Sequence, residues 1–296
     1  MRGTLVIVLA ILVVGIAWKL MRVEERESLG APVHDGAPSW SPDGSQIIYH
    51  SDRDGNGEIY RMNRDGSDNQ RITHHPASDG YPCWSPDGSQ ILFDSERAGN
   101  FDIWVMNADG SDPRQLTDSP GRDLAAAWSP DGKKIAFMSD RVGAFQVYVM
   151  NTDGTDQQRM TMIYTNWFPR WSPDGKRLAF HVRRDIHILE LDASSLTRLT
   201  TDPQNGMYPT WSPDGNRIAF MSWRDGNTEV YTMAADGADQ TRLTYSQVGD
   251  SIDPRWSPDG SQIVFVRVPA GRDDDGPQQI WVIDVEQKAA RQLTGE

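Results

Sequence analysis

The chain has 296 residues, a formal net charge of −13 and a single cysteine, Cys83. Because phosphate binding requires a basic surface, this acidic balance argues against nucleic acid as a partner and against broad adsorption to anionic lipid. A single cysteine excludes an intramolecular disulfide and a cysteine-based metal site, so we expect Cys83 to be a small apolar side chain on a strand.

An uncharged apolar segment begins the chain. Residues Gly3 to Trp18 carry no charge and follow Arg2, a pattern typical of an export signal or a signal anchor. Lys19 can snorkel and extend the span to Met21, which favours an uncleaved anchor over a cleaved signal peptide. Residues 1–21 are therefore assigned to a signal anchor or signal peptide, in the form of a hydrophobic helix that contacts the membrane through residues 3–21.

A charged stem, residues 22–34, follows this segment. Lys19, Arg22 and Arg26 count against export of the C-terminal part under the positive-inside rule. The early position of the apolar segment and the lack of a second one favour the opposite orientation. We expect a membrane-anchored protein whose main domain lies on the extracytoplasmic side, periplasmic or extracellular.

From residue 35 onward a single unit repeats. The sequence Trp-Ser-Pro-Asp-Gly begins at Trp40, Trp84, Trp128, Trp171, Trp211 and Trp256. A fixed period of this kind indicates an array of one supersecondary unit. Pro-Asp-Gly is a turn signal, and apolar runs such as residues 135–139 and 147–150 have the composition of strands. Each unit predicts four short strands, with the tryptophan on the first.

A single sheet of this size has two apolar faces and cannot cover both. Radial packing of neighbouring sheets solves this problem. Residues 35–296 are thus predicted to form an all-β, six-bladed β-propeller of four-stranded blades, with each tryptophan between blades. Whole repeats coincide with whole blades, so we expect a monomeric ring closed by packing, without strand exchange between the termini.

Function is expected on one end of the propeller. The connections from strand two to strand three, and from strand four to the next strand one, emerge together and vary in sequence. Loops on a rigid scaffold commonly carry binding residues. We call this end the channel-mouth face.

A short acid or amide stands five or six residues before each repeated tryptophan. These residues are Asp35, Asp79, Asp123, Asn166, Asn205 and Asp250. One interpretation is a ring at the channel mouth that binds a cation such as calcium, or a basic or N-terminal group of a partner peptide. The other is that each side chain caps its own turn.

Arginines and aromatic residues add a second set of candidates on this face. The arginines after strand two are Arg53, Arg97, Arg141 and Arg224. They pair with the ring aspartates or a ligand carboxylate, or they fix loops. The aromatic candidates are Tyr81, Trp167, Phe168, Tyr208 and Trp223. Such residues anchor protein interfaces, although some belong to the core.

Metal and catalytic motifs receive little support. Residues 52–59 imitate an EF-hand start, but Asn63 stands where the bidentate glutamate is required, and a hairpin connection is favoured. Residues 273–275, three aspartates, are assigned to a solvated loop. No Gly-x-Ser-x-Gly elbow occurs. The rival function is a carbohydrate lyase or hydrolase with a metal at the channel mouth, which clustering of His34, His74 or His75 with the aspartates would favour.

The repeats resemble a known family. The Trp-Ser-Pro-Asp-Gly turns, the strand pairs such as 135–139 with 147–150, and the closing Arg-Leu-Thr at 198–200 and 242–244 are similar to the WD40-like repeats of the TolB β-propeller family. That resemblance implies a non-enzymatic propeller that binds a protein or peptide partner in the cell envelope. Members carry an αβ domain before the propeller, which the 34 residues here are too few to form.

Two blades depart from the repeat. Residues 192–195 in blade 4 lack the glycine of the turn between strands three and four, and residues 285–288 replace that turn in blade 6. The leading hypothesis is a membrane-tethered, extracytoplasmic binding propeller.

Overall fold

The computed structural model describes residues 32–162, 164–201, 206–246, 249–269 and 276–295. They form six antiparallel sheets of four strands, and within each sheet the strands lie in chain order. The predicted six-bladed propeller is confirmed. The anchor and most of the stem, residues 1–31, lie outside the described residues. No helix in the described ranges has the length and apolar character that crossing a membrane requires.

The blades contain strands β1 to β24. Blade 1 has β1 (Asp35–Trp40), β2 (Gln46–Ser51), β3 (Glu58–Asn63) and β4 (Gln70–Arg71). Blade 2 has β5 (Asp79–Trp84), β6 (Gln90–Ser95), β7 (Asp102–Asn107) and β8 (Arg114–Gln115). Blade 3 has β9 (Asp123–Trp128), β10 (Lys134–Ser139), β11 (Gln146–Asn151) and β12 (Gln158–Arg159). Blade 4 has β13 (Asn166–Trp171), β14 (Arg177–Val182), β15 (Asp185–Glu190) and β16 (Ser195–Arg198). Blade 5 has β17 (Met207–Trp211), β18 (Arg217–Ser222), β19 (Glu229–Ala234) and β20 (Thr241–Arg242). Blade 6 has β21 (Asp250–Trp256), β22 (Gln262–Val268), β23 (Gln279–Asp284) and β24 (Ala290–Gln292).

The first strand of each blade is the innermost. β1, β5, β9, β13, β17 and β21 contact one another in succession, and β21 returns to β1. Strand four of each blade is at the outer edge and is short. The central channel is therefore lined by the six strands that carry the repeated tryptophans.

Ring closure uses the backbone contact of the other blade junctions and adds a parallel bridge between His34 and Gln278. The backbone N–H of Asp79 donates to the Gly57 carbonyl of blade 1 at 2.8 Å, and the N–H of Asp35 donates to the Gln278 carbonyl of blade 6 at 3.0 Å. Trp40 packs in one buried cluster with Val264 and other blade 6 residues. Closure by packing, without an exchanged strand, is as predicted.

The repeated turn is held by its serine and aspartate. In blade 3 the Ser129 hydroxyl donates to Asp131 at 2.7 Å and accepts from the Lys134 N–H at 2.9 Å. Gly132 has a φ of +68°, a conformation that glycine adopts at little cost. The Trp128 ring, 9% exposed, packs against Leu92 of blade 2. The motif thus both closes a hairpin and joins two blades.

The threonine that closes each repeat also has a structural role. The threonine hydroxyl accepts from a backbone N–H of strand three, as between Thr244 and Val230 at 2.9 Å. In blade 5 the same hydroxyl donates to Glu229 at the start of that strand. The same backbone contact recurs in all six blades. It holds the chain at the end of strand four against strand three.

The two aberrant turns leave grooves on the end opposite the channel-mouth face. In blade 3 a Cβ on Gly154 would lie 2.4 Å from the Leu116 carbonyl oxygen of blade 2, so this turn lies directly against the neighbouring blade. Blades 4 and 6 lack that glycine. The grooves beside them measure about 650 and 510 Å³, against 320 and 400 Å³ at the junctions of blades 1–2 and 2–3.

Candidate functional site

A bulge in strand one shapes the channel. In every blade the ladder between strands one and two shifts register near the third residue of strand one. That residue has a positive φ between 47° and 57°; the six are Ala37, Tyr81, Ala125, Phe168, Tyr208 and Asp253. A left-handed conformation costs about 1–2 kcal/mol for a residue other than glycine. The fold sustains this cost six times.

Aromatic rings fill the channel at this level. The Tyr81 and Phe168 ring centroids lie 5.5 Å apart, and those of Phe168 and Tyr208 lie 4.2 Å apart. Tyr81 belongs to blade 2 and Phe168 to blade 4, which are not neighbours, so these rings meet near the propeller axis. His50 and His181 pack beside them. Three of the predicted aromatic residues therefore form a plug inside the channel.

The two histidines beside the plug are in their neutral form. Burial lowers the pKa of His181 to about 3, and its Nδ1 accepts from the Tyr208 N–H at 3.4 Å. Burial also lowers the pKa of His50. Both imidazoles are neutral at physiological pH.

Two acids and two arginines surround the rings. The Arg255 guanidinium lies 2.6 Å from Asp253. Arg170 donates to the Pro169 carbonyl at 2.8 Å. Asp94 accepts from the Ala125 N–H at 2.8 Å, and burial raises its pKa well above the ordinary value. The Asp253 carboxylate therefore offsets the Arg255 charge, whereas burial disfavours the charged form of Asp94.

The predicted acid ring is composed of ion pairs in the first three blades. Arg53 donates to Asp35 at 2.9 Å, Arg97 to Asp79 at 2.7 Å and Arg141 to Asp123 at 2.8 Å. The three carboxylates are 0–2% exposed. The structure thus brings each of these arginines to the aspartate that begins strand one of its own blade. No external cation is needed to offset these charges.

The remaining ring positions differ. Asn166 donates to the Tyr164 carbonyl at 3.0 Å. Asp250 accepts from the Thr228 N–H at 2.6 Å. In the strand register, Ser251 and not Asp250 is the blade 6 residue equivalent to Asp35 of blade 1. Asn205 lies outside the described residues. The N–H of the next residue, Gly206, donates to the Arg184 carbonyl of blade 4, as the N–H of Asp79 donates to the Gly57 carbonyl of blade 1.

Exposed apolar side chains lie in two loops of the channel-mouth face, one within blade 3 and one between blades 3 and 4. We define the blade 3–4 patch as Val142, Met162 and Tyr164 of these loops together with Phe145 and Trp167, of which Phe145 is only 5% exposed. Met162, Tyr164 and Val142 are 75%, 61% and 51% exposed. The Phe145 and Trp167 ring centroids lie 4.6 Å apart. Arg183 and Arg122 lie over the Tyr164 and Phe145 rings.

Blade 3 lacks a side-chain clamp that three other blades share. The Asn56, Asn100 and Asn227 side chains each donate to two carbonyls of the loop after strand four. Blade 3 has Ala144 at this position. Its loop after strand four lacks these bonds; the Gln146 and Asn166 side chains donate instead to the Tyr164 carbonyl, at 2.5 and 3.0 Å. The Met162 and Tyr164 side chains of that loop are exposed. Sequence reasoning did not find this, although the Gly-Asn pattern and its absence at 143–144 were visible.

The other candidates are dispersed. Trp223 lies under the Arg184 guanidinium. His34 bonds Asp52 at 2.8 Å, and His75 accepts from the Ala77 N–H, so these two histidines are bonded away from the ring aspartates. Within the described ranges no three His, Cys, Asp or Glu side chains are grouped to hold a metal ion. Residues 52–57 connect β2 and β3, and residues 273–275 lie outside the described residues.

Comparison with known proteins identifies the family. A family model described as the TolB beta propeller domain matches residues 18–104, 78–166 and 162–296. The chain belongs to the TolB beta propeller family. No curated protein matches it in sequence.

Solved structures share the fold. A protein assigned as TolB in Agrobacterium tumefaciens is 28% identical with a TM-score of 0.68, over 78% of this chain and 87% of that one. TolB from Acinetobacter baumannii is 21% identical with a TM-score of 0.70, over 90% of this chain and 64% of that one. An oligogalacturonate lyase in complex with manganese is 12% identical, with a TM-score of 0.62, over 90% of this chain and 78% of that one. The latter two likenesses concern the fold alone.

Proposed function

We propose that this TolB-family propeller is a non-enzymatic binding protein that engages a protein or peptide partner in the cell envelope through its channel-mouth face. The observation that carries the proposal is the blade 3–4 patch. Three of its five side chains are more than half exposed, and exposed apolar patches rimmed by polar groups mark interaction sites. Arg122 and Arg183 supply such a rim.

The patch has the composition of an interface anchor. Aromatic residues, methionine and arginine are enriched in protein interfaces, and hot spots favour tryptophan, tyrosine and arginine. The channel below it is filled by rings, so a partner contacts the face and does not thread through the axis. The paired ring aspartates support the fold of this face more than they offer free charge.

Site-specific crosslinking tests this proposal. A photoreactive residue at Tyr164 should capture a partner in intact cells, identified by mass spectrometry, whereas the same residue at Leu196 should not. Leu196 is a matched control because it is also exposed, at 41%, and lies on an outer strand. Equal capture from both positions, or none from Tyr164, contradicts binding at the patch.

A single substitution separates the patch from the rest of the face. Ala144→Asn should restore the clamp seen in the other blades, tie down the following loop and reduce the exposure of Tyr164. We expect unchanged or higher melting temperature and weaker crosslinking at Tyr164. Undiminished crosslinking in a folded Ala144→Asn variant would show that the loop is not part of the interface.

The tether is a further element of the proposal. The uncharged segment from Gly3 to Trp18, after Arg2, supports an anchor that holds the propeller on the extracytoplasmic side. The chain should remain with membranes after carbonate washing and be digested by protease added outside the cytoplasm. Full-length protein in the cytosolic fraction would contradict it.

The rival enzyme has less support. A lyase or hydrolase with a channel-mouth metal, such as calcium, would need free donors there, but Asp35, Asp79 and Asp123 each accept from an arginine. The manganese-bound lyase shares the fold at 12% identity, and a fold hosts many activities.

A further inference from the structure

Blades 1, 2, 3 and 5 hold an arginine in one recurring arrangement. In blade 3 the Arg141 Nε donates to Ser139 Oγ at 2.8 Å, and its guanidinium lies 5.6 Å from the Phe137 ring centroid and 4.7 Å from that of Tyr148. Arg53 and Arg97 bond Ser51 and Ser95 in the same way. The serine and the two rings fix where the guanidinium lies.

Blade 5 reproduces this arrangement closely. The Arg224 Nε donates to Ser222 Oγ at 3.0 Å, and the guanidinium lies 5.7 Å from the Phe220 centroid and 4.7 Å from the Tyr231 centroid. These values match those of Arg141 within about 0.2 Å. Arg224 is therefore prepared for the same contact as the arginines of blades 1 to 3.

The aspartate is missing in blade 5. In blades 1 to 3 the paired aspartate stands 18 residues before the arginine, and the residue 18 before Arg224 is Gly206. Nη2, the atom that binds the aspartate in the other blades, is buried in Arg224 and has no hydrogen-bond partner in the described part of the chain. A charged donor is thus left without its acceptor.

The chain itself does not readily supply that acceptor at this position. A Cβ on Gly206 would lie 2.8 Å from the Cδ1 of Ile186, so an aspartate there requires Ile186 to move. Arg224 lies in the β18–β19 connection on the channel-mouth face and is only half-buried. A carboxylate that approaches along this face must displace the atoms that cover the buried Nη2.

The neighbouring blade adds a second cation of the same kind. In blade 6 the Arg267 guanidinium lies over Phe265 and Trp281, at 5.5 and 4.6 Å from the ring centroids. Its Nη2 reaches only Ser251 Oγ, at 3.4 Å, and its Nε has no partner. Glu229, the acid that acts on Arg267 electrostatically, is hydrogen-bonded to Arg242 at 2.7 Å. Among the described residues, no carboxylate is hydrogen-bonded to Arg224 or Arg267, in two neighbouring blades of an acidic protein.

We propose that the Arg224 guanidinium is a carboxylate-binding subsite, completed by an acidic side chain of the partner in the place where blades 1 to 3 carry their own aspartate. The choice of occupant rests on the proposed function, whereas the subsite itself does not. Charge-assisted hydrogen bonds of guanidinium to carboxylate are among the stronger polar contacts. The pairs in blades 1 to 3 show that such a contact fits this arrangement.

Small carboxylates test the subsite in the full-length protein. At constant ionic strength, replacing chloride by acetate should raise the melting temperature by about 1–3 °C, and Arg224→Gln should abolish the difference. Sulfate is excluded from protein surfaces and raises melting temperatures generally, so it should shift the wild type and Arg224→Gln equally. No acetate shift in the wild-type protein, or an equal acetate shift in Arg224→Gln, overturns the proposal.

Blade 3 provides a matched gain of function. Asp123→Ala leaves Arg141 in the state of Arg224, so this variant should melt lower than the wild type and recover part of the loss in acetate but not in chloride. A second outcome is that acetate raises the melting temperature of Asp123→Ala and leaves that of the wild type unchanged. That result would show that Arg141 accepts a carboxylate in this arrangement, whereas Arg224 of blade 5 does not, and it would overturn the proposal. This comparison does not require Arg224→Gln to fold.

The occupant is tested separately, once crosslinking has identified the partner. Replacing its acidic residues one at a time by the amide should weaken binding to the wild type at one position, and to Arg224→Gln at none. An acetate response with no such position would retain the subsite and reject the partner side chain as its occupant. Loss of the crosslink at Tyr164 with an intact acetate response would instead reject the proposed function alone.

Discussion

Thr244→Val tests the link between strands three and four where it is expected to be strongest. The substitution keeps the shape of the side chain and removes only its hydroxyl. That hydroxyl accepts from the Val230 N–H at 2.9 Å and donates to Glu229, whose side chain is fully buried. The variant therefore strands a buried donor and weakens the solvation of a buried carboxylate.

The magnitude follows from these two contacts. An unsatisfied buried N–H costs about 1–3 kcal/mol, and a hydrogen bond to a charged group contributes about 1.5–3 kcal/mol. Glu229 retains Arg242 at 2.7 Å and the Ser246 N–H at 2.6 Å, so the terms do not add in full. We expect a loss of about 2–4 kcal/mol in the free energy of unfolding.

Two further valine variants give the comparison in urea unfolding. Thr161→Val removes the same backbone contact, but its hydroxyl donates to the neutral Gln146, so we expect about 1–2 kcal/mol. Thr197→Val, on the exposed β16, should change stability by less than about 0.5 kcal/mol. If Thr244→Val behaves like Thr197→Val, the hydroxyl does not support the blade, and the reasoning fails.

Three other outcomes are expected. Gly154→Ala should cost about 1–3 kcal/mol more than Gly132→Ala, because both glycines have positive φ but only a Cβ at 154 meets a backbone carbonyl, at 2.4 Å; equal urea midpoints would contradict this. Hydrogen bonds from Ser85 and Ser89 lower the pKa of Asp87 to about 2, so the stability it contributes is present above about pH 4 and is lost as pH falls towards 2. Asp87→Asn should therefore flatten the acid side of a melting-temperature profile, and an unchanged acid slope would count against that bond. Deleting residues 1–30 should release a soluble propeller with an unchanged β-sheet circular dichroism spectrum, whereas aggregation would show that the segment supports the fold.

The repeats predicted the fold well because the same turn and strand pattern occurs six times, so an ambiguous pattern in one copy is resolved by the others. Six copies of one turn specify strand number, blade number and the innermost strand. The same regularity contains the arginine–aspartate pairs, since the spacing of 18 residues recurs in three blades. Counting back from the tryptophan instead gave Asn205 and Asp250, whereas the register places Gly206 and Ser251 at the equivalent positions.

The plug was harder to predict because backbone geometry determines it. Their sequence separation from the repeated tryptophan predicted that Phe168 and Tyr208 lie in or beside the loops of the channel-mouth face. The bulge in strand one, with φ of 54° and 52° at these residues, turns them into the channel instead. Neither residue type favours a left-handed conformation, so nothing local in the sequence indicated it.

The most informative positions are those where one blade breaks a rule that the others keep. Ala144 replaces an asparagine that ties down a loop in three blades, and Tyr164 of the corresponding loop in blade 3 is 61% exposed. Gly206 replaces an aspartate that neutralises an arginine in three blades, and Nη2 of Arg224 has no hydrogen-bond partner in the ranges that the structure describes. Both changes remove hydrogen bonds that stabilise the fold elsewhere, and both lie on the channel-mouth face. Because proteins depart from local consistency chiefly at functional sites, a partner with an apolar anchor and an acidic side chain accounts for both departures together.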